Sequence, residues 1–282
     1  MTTRTDSANR TIVFLTAQLF FAFALAVVFL PSAWAGENLS TLRAKAEAGD
    51  PKAQNNLGVL YEKGQGVPQN VVKARHWYRL AARQGNAPAQ TNLGWLYDNG
   101  LGVLQDYAKA AHWYRLAAKQ GYARAQYNLG ASYENGQGVP RDVVKARHWY
   151  RLAARQGYAP AQSTLGWITA DIGALSLIGR GISQNDARRI KKNFARGFHW
   201  LRLAARQGYA EAQFYLGVLY TNGAGVPQDY SKALHWYRLA AKQGFAKAQR
   251  NIGVFYYNGW GVPQNFAKAA YWINLADNNK NQ

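Results

Sequence analysis

The chain has 282 residues, of which 48% are hydrophobic and 14% aromatic, so it is too apolar to be disordered throughout. Lysine and arginine together number 34 against 14 aspartates and glutamates, which gives a formal net charge of +20 and favours anionic partners. Cysteine is absent, and this excludes disulfide bonds, thiolate metal sites and a cysteine nucleophile.

The first 35 residues have the pattern of a signal peptide. Arg4 and Arg10 form a basic start, residues 12–30 are almost entirely apolar, and Pro31 ends that run before the small-x-small sequence Ala33-Trp34-Ala35. We expect cleavage after this sequence. The alternative is an uncleaved membrane anchor, because the apolar run is just long enough to span a bilayer. In both cases the remainder of the chain is expected outside the cytoplasm, periplasmic or secreted in a bacterium.

A repeat of 36 residues organises the rest of the chain. The sequence Ala-Gln-x-x-Leu/Ile-Gly begins at Ala53, Ala89, Ala125, Ala161, Ala212 and Ala248. Only the fourth repeat is longer, with 51 residues between successive starts. The predicted organisation is a signal peptide (1–35), a capping half-repeat (36–52) and six repeats (53–88, 89–124, 125–160, 161–211, 212–247 and 248–282).

Each repeat is predicted to form two helices. Ala53, Leu57 and Tyr61 share one face of the first helix, and the glycine- and proline-containing stretch 64–68 forms the turn that follows. Asn70 is then a good N-cap for the second helix. The equivalent N-cap residues are Asp106, Asp142, Asp229 and Asn265.

The second helix has an apolar face formed by Ala74, Trp77 and Ala81, and Gly85 lies where a left-handed C-cap is expected. We expect the tryptophan to be a core residue in every repeat. One helix pair cannot bury its own apolar face, so neighbouring pairs must stack. The sequence therefore predicts an all-α solenoid.

These residues carry a family resemblance. The pattern comprises Leu57-Gly58, Tyr61, Gly64, Gly66-Val67, Lys73-Ala74, Trp77, Ala81-Ala82 and Gly85. From about Leu42 onward it resembles the Sel-one-like repeat, a relative of the tetratricopeptide repeat. The resemblance implies a right-handed superhelical solenoid that acts as an adaptor, with its first helices lining the concave side. It implies no particular ligand, because family members bind unrelated partners.

The sequence lacks the common catalytic motifs. The chain contains no Ser-x-x-Lys, Gly-x-Ser-x-Gly, His-Glu-x-x-His or Gly-x-x-x-x-Gly-Lys. We therefore expect no enzymatic activity, no cofactor and no metal. A cell-wall or β-lactam-acting protein of the cysteine-rich branch of the family is the alternative, which the lack of cysteine disfavours.

The histidines form a repeated surface position and not a metal cluster. They lie one repeat apart, at His76, His112, His148, His199 and His235. Zinc holds its ligand nitrogens at about 2 Å, whereas packed helices lie about 8–10 Å apart. Together with Arg79, Arg83 and their equivalents, the histidines form a basic band on the second helices. The band either contacts a polyanion, such as an anionic envelope component, or keeps the protein soluble; nucleic acid is not expected.

The outward positions of the first helices vary between repeats, whereas the core positions do not. In the first repeat these positions are Asn55, Val59 and Glu62, opposite the core face. Large aromatic side chains on such a surface are typical of a binding patch. We predict that the partner binds through Trp95, Asp98, Tyr127, Glu134, Trp167, Phe214 and Tyr257. The alternative for the two tryptophans is burial against a neighbouring repeat.

The fourth repeat has an extended hairpin, with seven residues added to its first helix and eight to its second relative to the first repeat. Both additions are close to two turns. The added apolar residues are expected to pack against one another, and a basic tip is predicted from Arg180, Arg188, Arg189, Lys191, Lys192 and Arg196. The alternative is an insertion that is merely tolerated. In sum, the sequence predicts an exported adaptor for a protein partner; the second alternative is a polyanion-binding surface protein.

Overall fold

The computed structural model describes residues 38–170 and 184–279, apart from the side chains of residues 184, 186 and 187. The predicted signal peptide lies outside them. The chain divides into two compact units, Met1–Leu42 and Arg43–Gln282. In the described part of the first unit, the side chain of Asn38 accepts a hydrogen bond from the Ser40 N–H at 2.8 Å.

The described residues form thirteen α-helices and no strand. Their bounds are α1 Leu39–Glu47, α2 Pro51–Lys63, α3 Val71–Arg83, α4 Ala87–Asn99, α5 Tyr107–Lys119, α6 Ala123–Asn135, α7 Val143–Arg155, α8 Ala159–Ala170, α9 Gln184–Arg206, α10 Ala210–Asn222, α11 Tyr230–Lys242, α12 Ala246–Asn258 and α13 Phe266–Asn279. From α2 onward, each even-numbered helix is the first helix of a repeat and each odd-numbered helix is the second. From α2 to α13, consecutive helices pack against one another in chain order, which confirms an all-α helical repeat solenoid. None of the described helices is long and apolar enough to cross a bilayer.

The helix ends follow the predicted caps. The α2 helix stops at Gly64, whose backbone is left-handed at φ +68° and whose N–H donates to the Leu60 carbonyl. The α3 helix begins after Asn70, whose side-chain oxygen accepts a hydrogen bond from the Lys73 N–H at 2.9 Å. The same cap is formed by Asp106, Asp142, Asp229 and Asn265. Local sequence therefore fixes where each helix of a pair begins and ends.

The predicted tryptophan core needs a correction. Trp77 and its equivalents are only half-buried, whereas the residue after it, Tyr78, is completely buried. Tyr114, Tyr150 and Tyr237 are buried in the same way. Trp149, on α7, packs against the core formed by α5 and α6. In these four repeats the tyrosine is thus a core residue, and Trp149 packs against a core that includes α5 of the preceding repeat.

Buried glutamines connect successive repeats. In the second repeat, Gln90 is only 4% exposed; its Nε2 donates to the Ala82 carbonyl of the preceding repeat at 3.1 Å, and its Oε1 accepts from Gln120 at 2.8 Å. The same pair of bonds is formed by Gln54, Gln126, Gln162, Gln213 and Gln249. Each glutamine adds a side-chain donor to a carbonyl at the end of the preceding helix, which also accepts from the N–H of the turn glycine.

The fourth repeat has a long second helix. The α9 helix has 23 residues, against 13 in α7 and α11, so the predicted extension of this helix is confirmed. The sequence predicts that the extension packs only within its own hairpin. The structure differs, because Phe194 also lies directly against Gly225 of the fifth repeat. The predicted extension of the first helix falls on residues 171–183, outside the described part of the chain.

Candidate partner-binding surface

The first-helix face consists of the outward positions of the first helices, from Asn55, Val59 and Glu62 to Tyr257. The structure places all seven predicted partner-binding residues on the even-numbered helices. Tyr257 is the most open, at 57% exposed. The other six are half-buried: Trp95, Asp98, Tyr127, Glu134, Trp167 and Phe214.

The carboxylates of this face are held by the buried tyrosines of the second helices. In the third repeat, the Tyr150 hydroxyl donates to Glu134 at 2.6 Å. The corresponding contacts in the other repeats are Tyr78 to Glu62 (2.5 Å), Tyr114 to Asp98 (3.2 Å) and Tyr237 with Thr221 (3.1 Å). Burial and the nearby carboxylate both raise the pKa of Tyr150 far above its usual range, so the phenol stays protonated. Each carboxylate therefore has a fixed position and still reaches the surface.

Burial also changes the acidity of one predicted site residue. The pKa of Asp98 is raised from its usual value because burial disfavours the charged carboxylate, and the Tyr114 hydrogen bond only partly opposes that effect. Burial therefore makes Asp98 bind its proton more tightly than an exposed aspartate does.

Aromatic rings cover the face between the fourth and fifth repeats. Trp167 stacks on Tyr215 with their ring centroids 4.2 Å apart and their planes 20° apart. Phe214 contacts the same ring at 5.4 Å and the buried Tyr237 at 5.9 Å. The structure thus brings Trp167 and Phe214 together through Tyr215, a residue that the sequence did not single out. Both rings serve inter-repeat packing as well as forming a surface.

In the third repeat, two of the predicted residues meet through a buried tyrosine. The ring of Tyr127 lies 5.5 Å from that of Tyr150, whose hydroxyl is bound by Glu134. Tyr127 also contacts Tyr158 at 5.6 Å. At the other end of the chain, Tyr257 has its ring against Phe266 at 5.4 Å. The sequence did not predict that Tyr150 and its equivalents Tyr78, Tyr114 and Tyr237 would be buried. Each lies beside a tryptophan, and the sequence does not show which of the two adjacent residues faces the core.

The basic side chains lie on other surfaces. Every histidine of the basic band is exposed and sits edge-on to the neighbouring tryptophan, with centroids 5.3–5.7 Å apart. Arg79 and Arg83 are exposed too, whereas Arg115 is half-buried. Of the predicted basic tip, Arg180 lies outside the described residues. The others lie exposed on α9: Arg188, Arg189, Lys191, Lys192 and Arg196. Within the described ranges, no three side chains of metal-binding type are grouped so that they could hold an ion.

Comparison with known families identifies the repeat. The Sel1 repeat matches residues 51–86, 87–122, 123–158, 171–209, 210–245 and 246–276. The chain belongs to the Sel1 repeat family. Members of this family generally act as adaptors in protein interactions and are typically scaffolds and not enzymes. No curated protein is similar enough to count as a match.

Solved structures of similar proteins share the fold. A protective antigen of uropathogenic Escherichia coli with an SLR fold is 34% identical, with a TM-score of 0.68 over 86% of this chain. The match covers 49% of that antigen, so the chain spans about half its length. A Sel1 repeat protein from Oxalobacter formigenes is also 34% identical, with a TM-score of 0.68 over 81% of this chain and 85% of its own. An immunity protein from Pseudomonas aeruginosa, 21% identical with a TM-score of 0.51 over 82% of each chain, shares the fold alone.

Proposed function

We propose that the protein is an exported adaptor that binds a peptide or protein partner through the first-helix face. The observation that carries this proposal is the contrast between conserved and variable positions within the chain. Buried positions such as Leu57 and Tyr78 repeat from unit to unit, whereas the face changes from Val59 to Trp95 to Ala131. The face therefore offers a partner a different set of side chains in each repeat.

The chemistry of the face favours a protein partner. Half-buried aromatic rings present apolar area that loses little side-chain entropy on binding, and such rings dominate protein interfaces. Asp98 and Glu134 add carboxylates that Tyr114 and Tyr150 hold in place. The face therefore combines rigid apolar anchors with fixed hydrogen-bond acceptors, and neither feature requires a small-molecule substrate.

The basic surfaces form an auxiliary part of the proposal. The exposed histidines and arginines of the second helices, together with the exposed cations at the start of α9, suit an anionic component of the cell envelope. They lie on different helices from the first-helix face, so both contacts can be made at once. Export is supported by the first 35 residues, and N-terminal sequencing of the mature protein is expected to begin at Gly36.

Site-specific photo-crosslinking in the producing cells tests the proposal. A photoreactive phenylalanine analogue is placed at Val254, which is 36% exposed on the first-helix face. The control variant carries it at His148, exposed on the second helix of another repeat. We expect a discrete protein adduct from position 254 that is missing from position 148. A protein adduct from position 148 alone would show that the partner binds the second-helix surface and would contradict the proposal.

A further inference from the structure

Two open clefts lie at equivalent turns between consecutive repeats and have lining residues of opposite charge. One has a cavity volume of about 330 Å³ and is lined by Tyr122, Arg124 and Tyr158. The other has a cavity volume of about 460 Å³ and is lined at the matching repeat positions by Tyr209, Glu211 and Phe245. The aromatic residues are retained, but the arginine of the first cleft is replaced by a glutamate in the second.

Glu211 is held by neutral hydroxyl groups at long distance. The Ser163 hydroxyl lies 3.5 Å from Oε2 and the Tyr215 hydroxyl lies 3.4 Å from Oε1. Both distances exceed the usual range for a hydroxyl donor, about 2.5–3.0 Å. The Tyr209 hydroxyl also forms a hydrogen bond with Glu211. All three donors are neutral, so the carboxylate retains capacity for a charged donor, which binds it more strongly. In the described parts of this very basic chain, no lysine, arginine or histidine forms an ion pair with Glu211.

The negative charge of Glu211 raises the pKa of the neighbouring phenols, Tyr209 and Tyr215. Burial first, and then the negative charge of Glu211, raise the pKa of Tyr215 to about 12. The same two causes raise the pKa of Tyr209 well above its usual range. Both phenols therefore stay neutral near neutral pH, and the negative charge of the cleft rests on Glu211 alone among its lining residues.

The walls of this cleft suit a flat cation. Tyr209 and Phe245 line it, and aromatic faces attract cations through the ring quadrupole. A guanidinium group can stack on such a face while its parallel N–H donors reach both oxygens of a carboxylate. An ammonium group is a compact, strongly hydrated charge and gains less from this geometry.

We propose that the Glu211 cleft binds an arginine side chain of the protein partner. This inference rests on the proposed function and narrows it to a partner with an accessible arginine. The Arg124 cleft, at the equivalent turn and with a positive charge, repels that side chain and provides an internal control within one molecule.

A purely structural role for Glu211 makes a different prediction. Glu211 lies in the first turn of α10, which begins after Tyr209 without a side-chain cap, and a carboxylate there stabilises the positive end of the helix dipole. That role alone would make the Glu211→Gln variant less stable but would give the cleft no affinity for arginine. A binding measurement on folded protein therefore separates the two roles.

The test is a titration of the isotope-labelled protein with the peptide N-acetyl-Gly-Arg-Gly-amide, followed by NMR. We expect saturable shifts at the amides of Tyr209, Glu211 and Phe245, and none at Tyr122 or Arg124. The peptide with citrulline, a neutral isostere of arginine, is expected to bind at least tenfold more weakly. The lysine peptide is expected to bind severalfold more weakly, and equal binding of that peptide would overturn the choice of arginine.

Two variants complete the test. Glu211→Gln retains the shape of the side chain and removes its charge, so we expect at least a tenfold loss of affinity for the arginine peptide. Glu47→Gln removes an exposed carboxylate outside both the cleft and the first-helix face and is expected to leave that affinity unchanged. Equal binding by wild type and Glu211→Gln, or no saturable shift at the cleft, overturns the inference. Neither result depends on an adduct at position 254, so the peptide titration tests the cleft independently of the proposed function.

Discussion

Gly58 has no side chain at the point where the ring of Tyr78 lies across α2. A Cβ atom added to Gly58 would lie 2.6 Å from two carbons of that ring, a separation that side-chain packing does not tolerate. The same close approach occurs at Gly94, Gly130 and Gly217. The glycine of the repeated Leu-Gly motif therefore leaves room for the ring of the buried tyrosine. In the first three repeats the hydroxyl of that tyrosine donates to the carboxylate of the first-helix face.

This contact predicts that Gly130→Ala destabilises the protein. Overpacking of a core costs about 1–3 kcal/mol, and the better helix propensity of alanine returns at most about 1 kcal/mol. We expect a net loss of about 1–2 kcal/mol in the free energy of unfolding, measured by urea titration with circular dichroism. Ala131→Ser, at the neighbouring half-buried position, is the control and should change stability by less than about 0.5 kcal/mol. Wild-type stability of Gly130→Ala would show that the ring has room to move.

The buried glutamines predict a second loss of stability. In Gln90→Leu the Ala82 carbonyl keeps its bond from the Gly85 N–H but loses its bond from Gln90, and the Gln120 amide loses its acceptor. Each hydrogen bond contributes about 0.5–1.5 kcal/mol, so we expect the loss of both to lower the free energy of unfolding by about 1–3 kcal/mol. The same urea titration measures the effect. Gln65→Leu, at an exposed turn position, is the matched control and should be nearly neutral. A neutral effect of Gln90→Leu would mean that water replaces the amide between repeats.

Much of the fold could be predicted from the period of the sequence, because helix ends and caps depend on local residues. Asn70 and Gly64 are examples, since each acts within a few residues of its own position. The burial of Tyr78 in place of Trp77 could not be predicted in this way. The two residues are adjacent on one helix, and the choice between them depends on Gly58, a residue of the opposing helix.

Polarity misled the sequence interpretation for the same reason. The position of Gln54 is a glutamine in every repeat, and its polarity gave no sign of burial. The side chain is nevertheless buried, because its amide donates to a carbonyl at the end of the preceding helix. The first-helix face could be located because outward positions follow from helical geometry. The Glu211 cleft could not, because it is formed by turns of two different repeats.

The raised pKa of Asp98 predicts a pH-dependent stability. Because the folded pKa lies above the unfolded value of 3.8, the folded state binds more protons between those two values, and stability falls as pH rises through that window. Asp98→Asn still accepts the Tyr114 hydroxyl and does not bury a charge. We therefore expect the variant to be more stable than wild type at pH 7 and to lose that advantage as the pH is lowered.

Asp106 provides a control of opposite sign for that experiment. Its hydrogen bonds with Lys109 hold the pKa of the carboxyl below its usual value, so its contribution is present at neutral pH and is lost as pH falls through the folded pKa. Thermal unfolding of Asp98→Asn and Asp106→Asn across pH 3–7 measures both. If the two variants shift stability in the same direction with pH, burial of Asp98 is not what raises its pKa.

The basic band predicts binding to anionic membranes. Replacing Arg79, Arg151 and Arg202, each exposed on a second helix, with glutamine removes three positive charges from that surface. Each cation near an anionic surface contributes about 1 kcal/mol, so affinity for phosphatidylglycerol vesicles should fall about 100-fold. Trp95→Ala should leave vesicle binding unchanged. Undiminished binding by the triple variant would mean that the band only keeps the protein soluble.

The most direct test of the central claim compares the affinity of the cross-linked partner for two variants that fold normally. Trp95→Ala removes an aromatic side chain from the first-helix face, and truncation of an interface aromatic commonly costs about 2 kcal/mol or more. Arg151→Ala removes an exposed side chain from the second-helix surface. Measured by calorimetry with the purified partner, Trp95→Ala should weaken binding at least tenfold and Arg151→Ala should change it less than twofold. The reverse pattern would contradict binding through the first-helix face.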